Sequence, residues 1–206
     1  TSAETCQQAA ERLAALDKLE IWDGGARDDV SDLRPLADLV QLKSLGLYYL
    51  GISRVGQLLP LYSLPRLREL SLRGNMLKNV NGLAVLTPNL RKLTLNENPL
   101  SVDEGVFSIS EVSDSWQKLE ALEMVSCQLA KLPHKLPLNI KHLDIQDNPI
   151  VTDGYATLQP KEGEKPLPLQ TVLMVKGFAE AVPEARRLEI LKEIQTWLPG
   201  VHARAF

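Results

Sequence analysis

Apolar residues recur along this chain in a fixed order, Leu-x-x-Leu-x-Leu-x-x-Asn. The fullest copies are Leu67-Leu70-Leu72-Asn75, Leu90-Leu93-Leu95-Asn98 and Ile140-Leu143-Ile145-Asn148. Weaker copies start at Leu42 (Leu45, Leu47, then Leu50 in the Asn position) and Leu119 (Leu122, Met124, Cys127), and the faintest at Leu16 and Leu169. The starts 16, 42, 67, 90, 119, 140 and 169 are spaced by 26, 25, 23, 29, 21 and 29 residues. Alternation through the middle of each phrase predicts a short strand, with positions four and six inward and positions three, five and seven outward. One unit cannot bury its apolar side alone, so copies are expected to stack as parallel strands one repeat apart. The Asn at position nine falls where the chain turns away from its strand. There it can bond the loop backbone of a neighbouring repeat, satisfying polar groups that the turn would bury. Asn75, Asn98 and Asn148, with Cys127 in the same slot, are therefore expected to form a structural ladder.

A further apolar residue follows two places beyond the Asn slot (Ile52, Leu77, Leu100, Leu129, Ile150), and in three repeats another follows three later (Val55, Val80, Leu132). The segment DVSDLRPLADLVQLKSL sets Leu33, Leu36 and Leu39 on one face of a short helix. Phrase and continuation together resemble the leucine-rich repeat family along most of the chain, and all six spacings lie in its range of roughly 20–29 residues. The continuation is similar to the short-unit intracellular subclass, typified by phosphatase-regulator, spliceosomal and dynein-light-chain proteins. This resemblance implies an α/β right-handed solenoid of about seven repeats, with a parallel concave sheet and short helices or 3₁₀ turns on the convex side. The segments after Asn98 and Asn148 lengthen their repeats to 29 residues, and the second, with its charged run KEGEK, reads as a surface loop.

Both ends of such a stack need covering. Residues 3–15 hold strong helix formers, with Cys6, Ala10, Leu13 and Ala14 at helical spacing. At the other end Pro183 precedes EARRLEILKEIQTW, whose Ile190, Leu191, Ile194, Trp197 and Leu198 make an apolar stripe. Residues 187–199 resemble the C-terminal cap of the intracellular subclass, although VHARAF stands where that cap ends in Leu-Asp. We expect one domain over residues 1–206, with an N-terminal capping helix at 1–15, repeats over 16–180 and a C-terminal cap over 181–206.

Composition narrows the function classes. Leucine alone supplies 38 of 206 residues, while all aromatics make 5%. A net charge of −3 argues against direct nucleic-acid binding, and 44% apolar content argues against disorder. No apolar run is long enough to span a membrane. Two cysteines, Cys6 and Cys127, cannot build a disulfide scaffold, and no Asn-x-Ser/Thr sequon occurs. Both facts favour a reducing, cytoplasmic location. The chain opens on Thr1, so a processed or trimmed product is expected, with any targeting signal outside it.

No catalytic, metal or cofactor chemistry is expected. His134, His142 and His202 lie in no metal-binding spacing, Gly24-Gly25 is an isolated pair, and Asp28-Asp29 is an adjacent loop pair. Cys127 sits in the ladder slot, where the family frequently substitutes Cys, and is expected to be buried and inert.

Function then falls to the outward positions. Position seven begins Trp22, Tyr48, Arg73 and Asn96; position eight adds Tyr49, Glu97 and Asp147. Position three contributes Glu69, and position five an acidic strip of Glu123 and Asp144. Trp, Tyr and Arg are the residues most enriched at binding hot spots, and Arg73 is placed to stack on Tyr48. The expected partner site comprises Trp22, Tyr48, Tyr49, Glu69, Arg73, Asn96, Glu97, Glu123 and Asp144. The resemblance implies a protein-binding adaptor, scaffold or targeting subunit, monomeric on its own. Two other roles fit the same resemblance: a constitutive subunit of a ribonucleoprotein, axonemal or cytoskeletal assembly, and a secreted microbial effector, with which IKHLDIQDNPI shares some character.

Overall fold

Leucines at positions four and six of the phrase carry the architecture. In the computed structural model, which describes residues 6–22, 32–100, 116–133, 136–150, 155, 158–174 and 184–205, they line one continuous core. Outside the described residues lie residues 3–5 of the N-terminal cap, Gly24-Gly25, Asp28-Asp29, His134, Pro183 and much of the two long insertions.

The strands are β1 (Lys18–Trp22), β2 (Ser44–Tyr48), β3 (Glu69–Ser71), β4 (Lys92–Thr94), β5 (Ala121–Glu123), β6 (His142–Asp144), β7 (Thr171–Met174) and β8 (His202–Ala205). They form one parallel sheet in chain order. Register runs slot to slot: Leu45 pairs with Leu70, Leu70 with Leu93, Leu93 with Leu122 and Leu122 with Leu143. Each central leucine is essentially inaccessible to solvent. The apolar residues two places past the Asn slot are buried as well.

Between strands the chain returns through short turns. A 3₁₀ segment at Arg34–Asp38 is flanked by Leu33 and Leu39, and these two with Leu36 are all buried. Spacing by three suits this geometry, because residues i and i+3 eclipse one another in a 3₁₀ turn. A second 3₁₀ segment covers Val55–Ser63, and a single helical turn, α2, covers Leu83–Leu86. Trp116, which follows the first insertion in sequence, is fully buried, and its indole N–H donates to the Thr87 carbonyl at 3.2 Å.

The two ends depart from the repeat pattern. Helix α1 (Cys6–Ala14) leaves Leu13 half exposed, and Leu19 and Ile21 of β1 are only partly buried. Its stripe is mostly Ala and Cys, which offer little apolar area to drive packing. At the C-terminus α3 (Glu184–Trp197) buries Ile190 and Ile194, as its spacing implies, followed by Leu198. Within the expected cap, His202–Ala205 form β8, so among the described residues the sheet has eight strands where about seven repeats are expected. His202 pairs with Thr171 and Ala203 with Val172. Ala203 and Ala205 occupy positions that hold leucine or another large apolar residue elsewhere, which hides this copy from a search for the phrase.

Candidate functional site

Among the described residues the strand exits of five repeats make the same sharp turn. Position eight adopts positive φ in five successive repeats: Tyr49 (58°), Gly74 (71°), Glu97 (59°), Ser126 (55°) and Asp147 (54°). Its amide still reaches the next strand, as in Tyr49 N–H to the Arg73 carbonyl (3.1 Å) and Gly74 N–H to the Asn96 carbonyl (2.9 Å). This turn throws the Tyr49 and Glu97 side chains along the sheet's C-terminal edge, beside the outward residues of position seven.

Trp22 and Tyr48, aligned by the β1–β2 register, stack with ring centroids 4.0 Å apart and an interplanar angle of 20°. Tyr49 joins at 6.4 Å from Trp22 and 27°. Such a pair contributes about 0.5–1.5 kcal/mol beyond area burial. Trp22 nevertheless stays 57% exposed and Tyr49 41% exposed. Two glycines seat the tyrosines. A methyl group at Gly46, in position five, would strike the Tyr48 ring, which folds back over it. One at Gly74 would strike the ring of Tyr49.

The polar edge of this cluster is a three-residue network. The Tyr49 hydroxyl donates to Glu97 Oε2 at 2.7 Å, and Arg73 donates through Nε (3.1 Å) and Nη2 (2.6 Å) to Glu97 Oε1. The guanidinium expected on the Tyr48 ring is therefore directed to the carboxylate one repeat on. The Tyr49 hydroxyl, followed by Arg73, holds the Glu97 carboxyl below its ordinary range.

Beside the stack, a concavity of about 300 Å³ opens on the outward sheet face. Small residues at positions three and five, Ser44, Gly46, Ser71 and Thr94, make room for it between charged residues on neighbouring strands. Lys18 pairs with Glu20 at 3.0 Å and Lys92 with Glu123 at 2.6 Å.

Solved structures similar to this chain include three bacterial proteins. Internalin F of Listeria monocytogenes strain 4b F2365 is 17% identical, with a TM-score of 0.52 over 86% of this chain and 47% of its own. Internalin C2 of the same strain is 18% identical, with a TM-score of 0.55 over 94% and 72%. A leucine-rich repeat protein of Leptospira interrogans is 19% identical, with a TM-score of 0.54 over 98% and 53%. The fold is the leucine-rich repeat solenoid. At these identities the likeness is one of fold alone, and the chain spans about half the length of internalin F and of the Leptospira protein. No family model matches the sequence, and no curated protein matches it.

Within the leucine-rich repeat solenoid the anticipated site residues separate into groups. Trp22, Tyr48, Tyr49, Arg73 and Glu97 come together as described. Glu69 lines the same concavity. Asn96 serves the backbone, its Oδ1 accepting the Val125 N–H at 2.8 Å. The acidic strip is not a free negative surface: Lys92 and the Thr94 hydroxyl engage Glu123, and Gln146 engages Asp144. Burial, foremost, raises the Asp144 carboxyl above its usual range.

The Asn slot faces inward. Asn75 Oδ1 accepts the Leu50 and Ile52 amides (3.0 and 3.1 Å), and its Nδ2 donates to the Leu47 and Leu72 carbonyls (both 2.8 Å). Asn148 repeats this pattern and Asn98 repeats it with one amide, that of Leu77, each bridging its own strand exit to the previous repeat. The Cys127 thiol donates to the Leu95 carbonyl at 3.1 Å, and burial pushes its pKa up to about 12. Such a thiol is a poor nucleophile. Sequence reasoning missed Gly46 and Gly74 because their contribution is an absent side chain. The only signal was a gap at position five in a row otherwise filled.

Proposed function

We propose that this chain binds a protein partner through its concave sheet face and acts as an adaptor, scaffold or targeting subunit with no chemistry of its own. The observation that carries this reading is the Trp22–Tyr48–Tyr49 cluster, stacked, solvent-facing and seated on glycine backbone. Aromatic groups held in one conformation lose little further freedom on binding, so their contact area converts efficiently into affinity. Trp, Tyr and Arg also dominate binding hot spots. The leucine-rich repeat fold, which presents an extended curved surface, supports a general role in protein interaction.

The test is a pull-down from native lysate followed by titration of the captured partner. Tyr48→Ala should cost stability about 1 kcal/mol, the loss of one half-buried ring stacked on Trp22. Partner affinity should fall more than tenfold, or about 2 kcal/mol. Arg73→Ala should weaken binding as well, because it frees Glu97 and loosens Tyr49. A charge change at Lys161 or Glu164, in the second insertion, should do much less. Loop variants that abolish binding while Tyr48→Ala leaves it intact would move the functional surface to the insertion edge.

A further inference from the structure

The charges around the concavity are mostly answered within the chain. Lys18 holds Glu20, Lys92 holds Glu123, and Arg73 holds Glu97. Glu69 is different. The register sets it between Ser44 on β2 and Lys92 on β4, yet the Lys92 ammonium turns away to Glu123. Among the described residues Glu69 receives one hydrogen bond, from the Ser44 hydroxyl at 3.1 Å; Lys18, itself paired with Glu20, acts on it electrostatically from the same concavity, but no cation lies within ion-pair distance. It is solvent-exposed and lines the same concavity as the Tyr48 ring.

We propose that this concavity takes an arginine side chain of the protein partner, its guanidinium on the Glu69 carboxylate and its plane along the Tyr48 ring. The inference rests on the concave-face reading above and names the chemistry that face selects. Charge fixes the sign of the guest. An anion would meet Glu69, and an apolar side chain would strip water from that carboxylate without replacing it. Shape favours guanidinium over ammonium. A guanidinium offers parallel N–H donors to a carboxylate and stacks flat on an aromatic face, whereas a lysine ammonium is a compact, strongly hydrated point charge. The volume of about 300 Å³ suits one long side chain and is at the lower end for a small-molecule pocket. Gly46 keeps the floor low beneath the Tyr48 ring, so the site depends on the same glycine as the aromatic stack.

Short random peptides displayed on phage and selected on the full chain supply a probe that needs no known partner. Each selected peptide is titrated against the wild type, Glu69→Gln and Tyr48→Ala, with thermal melts confirming that both variants fold. The expected result is an arginine at one fixed place in the selected peptides and a loss of more than tenfold on Glu69→Gln. Replacing that arginine by citrulline should cost the wild type a similar factor and cost Glu69→Gln little more, because the two changes remove one interaction. Selected peptides that lack a basic residue, or that bind equally well with lysine, would overturn the proposal. Peptides weakened by Tyr48→Ala but not by Glu69→Gln would overturn the arginine site and leave the concave-face reading standing. Peptides indifferent to both variants would overturn both.

Discussion

Two glycines show how a residue can act by what it lacks. Gly46 has ordinary backbone angles, so alanine there adds no backbone strain. Its methyl group would meet the far end of the Tyr48 side chain, which can swing aside. Gly46→Ala should therefore melt close to the wild type, lose the near-ultraviolet dichroism of the Trp22–Tyr48 stack, and bind partner as poorly as Tyr48→Ala. Gly74→Ala should behave otherwise, because φ at that position is +71°. A left-handed alanine costs about 1–2 kcal/mol, and urea unfolding should record that loss beside a displaced Tyr49. If Gly46→Ala keeps both the dichroic signal and the affinity, the glycine seat is irrelevant to the site. Cys127 gives a residue-scale prediction in pH. Its folded pKa of about 12 lies above the unfolded value near 9. Between those values the unfolded thiol gives up its proton and the folded one keeps it. The unfolded state then binds fewer protons, and stability falls as pH rises. The stability advantage of the wild type over Cys127→Ala should shrink as pH rises from about 9 toward about 12, and a constant difference would contradict the buried, proton-holding thiol.

At the scale of elements, the repeat phrase made most of the strands legible and missed one. Leucine at two fixed positions is a strong signal because the core at each strand accepts one branched side chain from each. β8 escaped because Ala203 and Ala205 fill those positions with small side chains, and only the partner strand β7 shows that they belong to the sheet. α1 was legible as a helix, but its packing was not, since a stripe of Ala and Cys predicts a face without predicting how much of it is covered. The Asn slot was the most informative single letter, because the strand exit leaves two amides and two carbonyls of adjacent repeats within reach of one carboxamide. Asn75→Ala should leave the Leu50 and Ile52 amides without their acceptor, at about 1–3 kcal/mol per buried group. Asn98→Ala should cost a similar amount. Neither should change affinity for a partner once the folded fraction is accounted for. If both variants unfold at the parent's denaturant midpoint, the ladder contributes nothing and the turn is held by its backbone alone.

At the scale of the molecule, the solenoid separates what holds the chain together from what faces outward. Leucine and asparagine positions set the stack, and the residues between them are free to vary, so the row of Trp22, Tyr48 and Arg73 could be located from register alone. How those side chains arrange themselves could not be read. The pairing of Arg73 with Glu97 depends on the left-handed turn at position eight, and the quieting of Glu123 depends on Lys92 one strand away. Both are contacts between repeats, which a pattern read within each repeat does not contain. The opposite side of the molecule also exposes apolar groups, Leu59 and Tyr62 among them, so the choice of face is the central question. A photoreactive benzophenone side chain placed at Glu20, on the rim of the concavity, or at Tyr62, on the outer 3₁₀ segment, decides it in one cross-linking experiment in native lysate. The account predicts a discrete partner adduct from the Glu20 position that Tyr48→Ala abolishes, and none from Tyr62. An adduct from Tyr62 alone would contradict it.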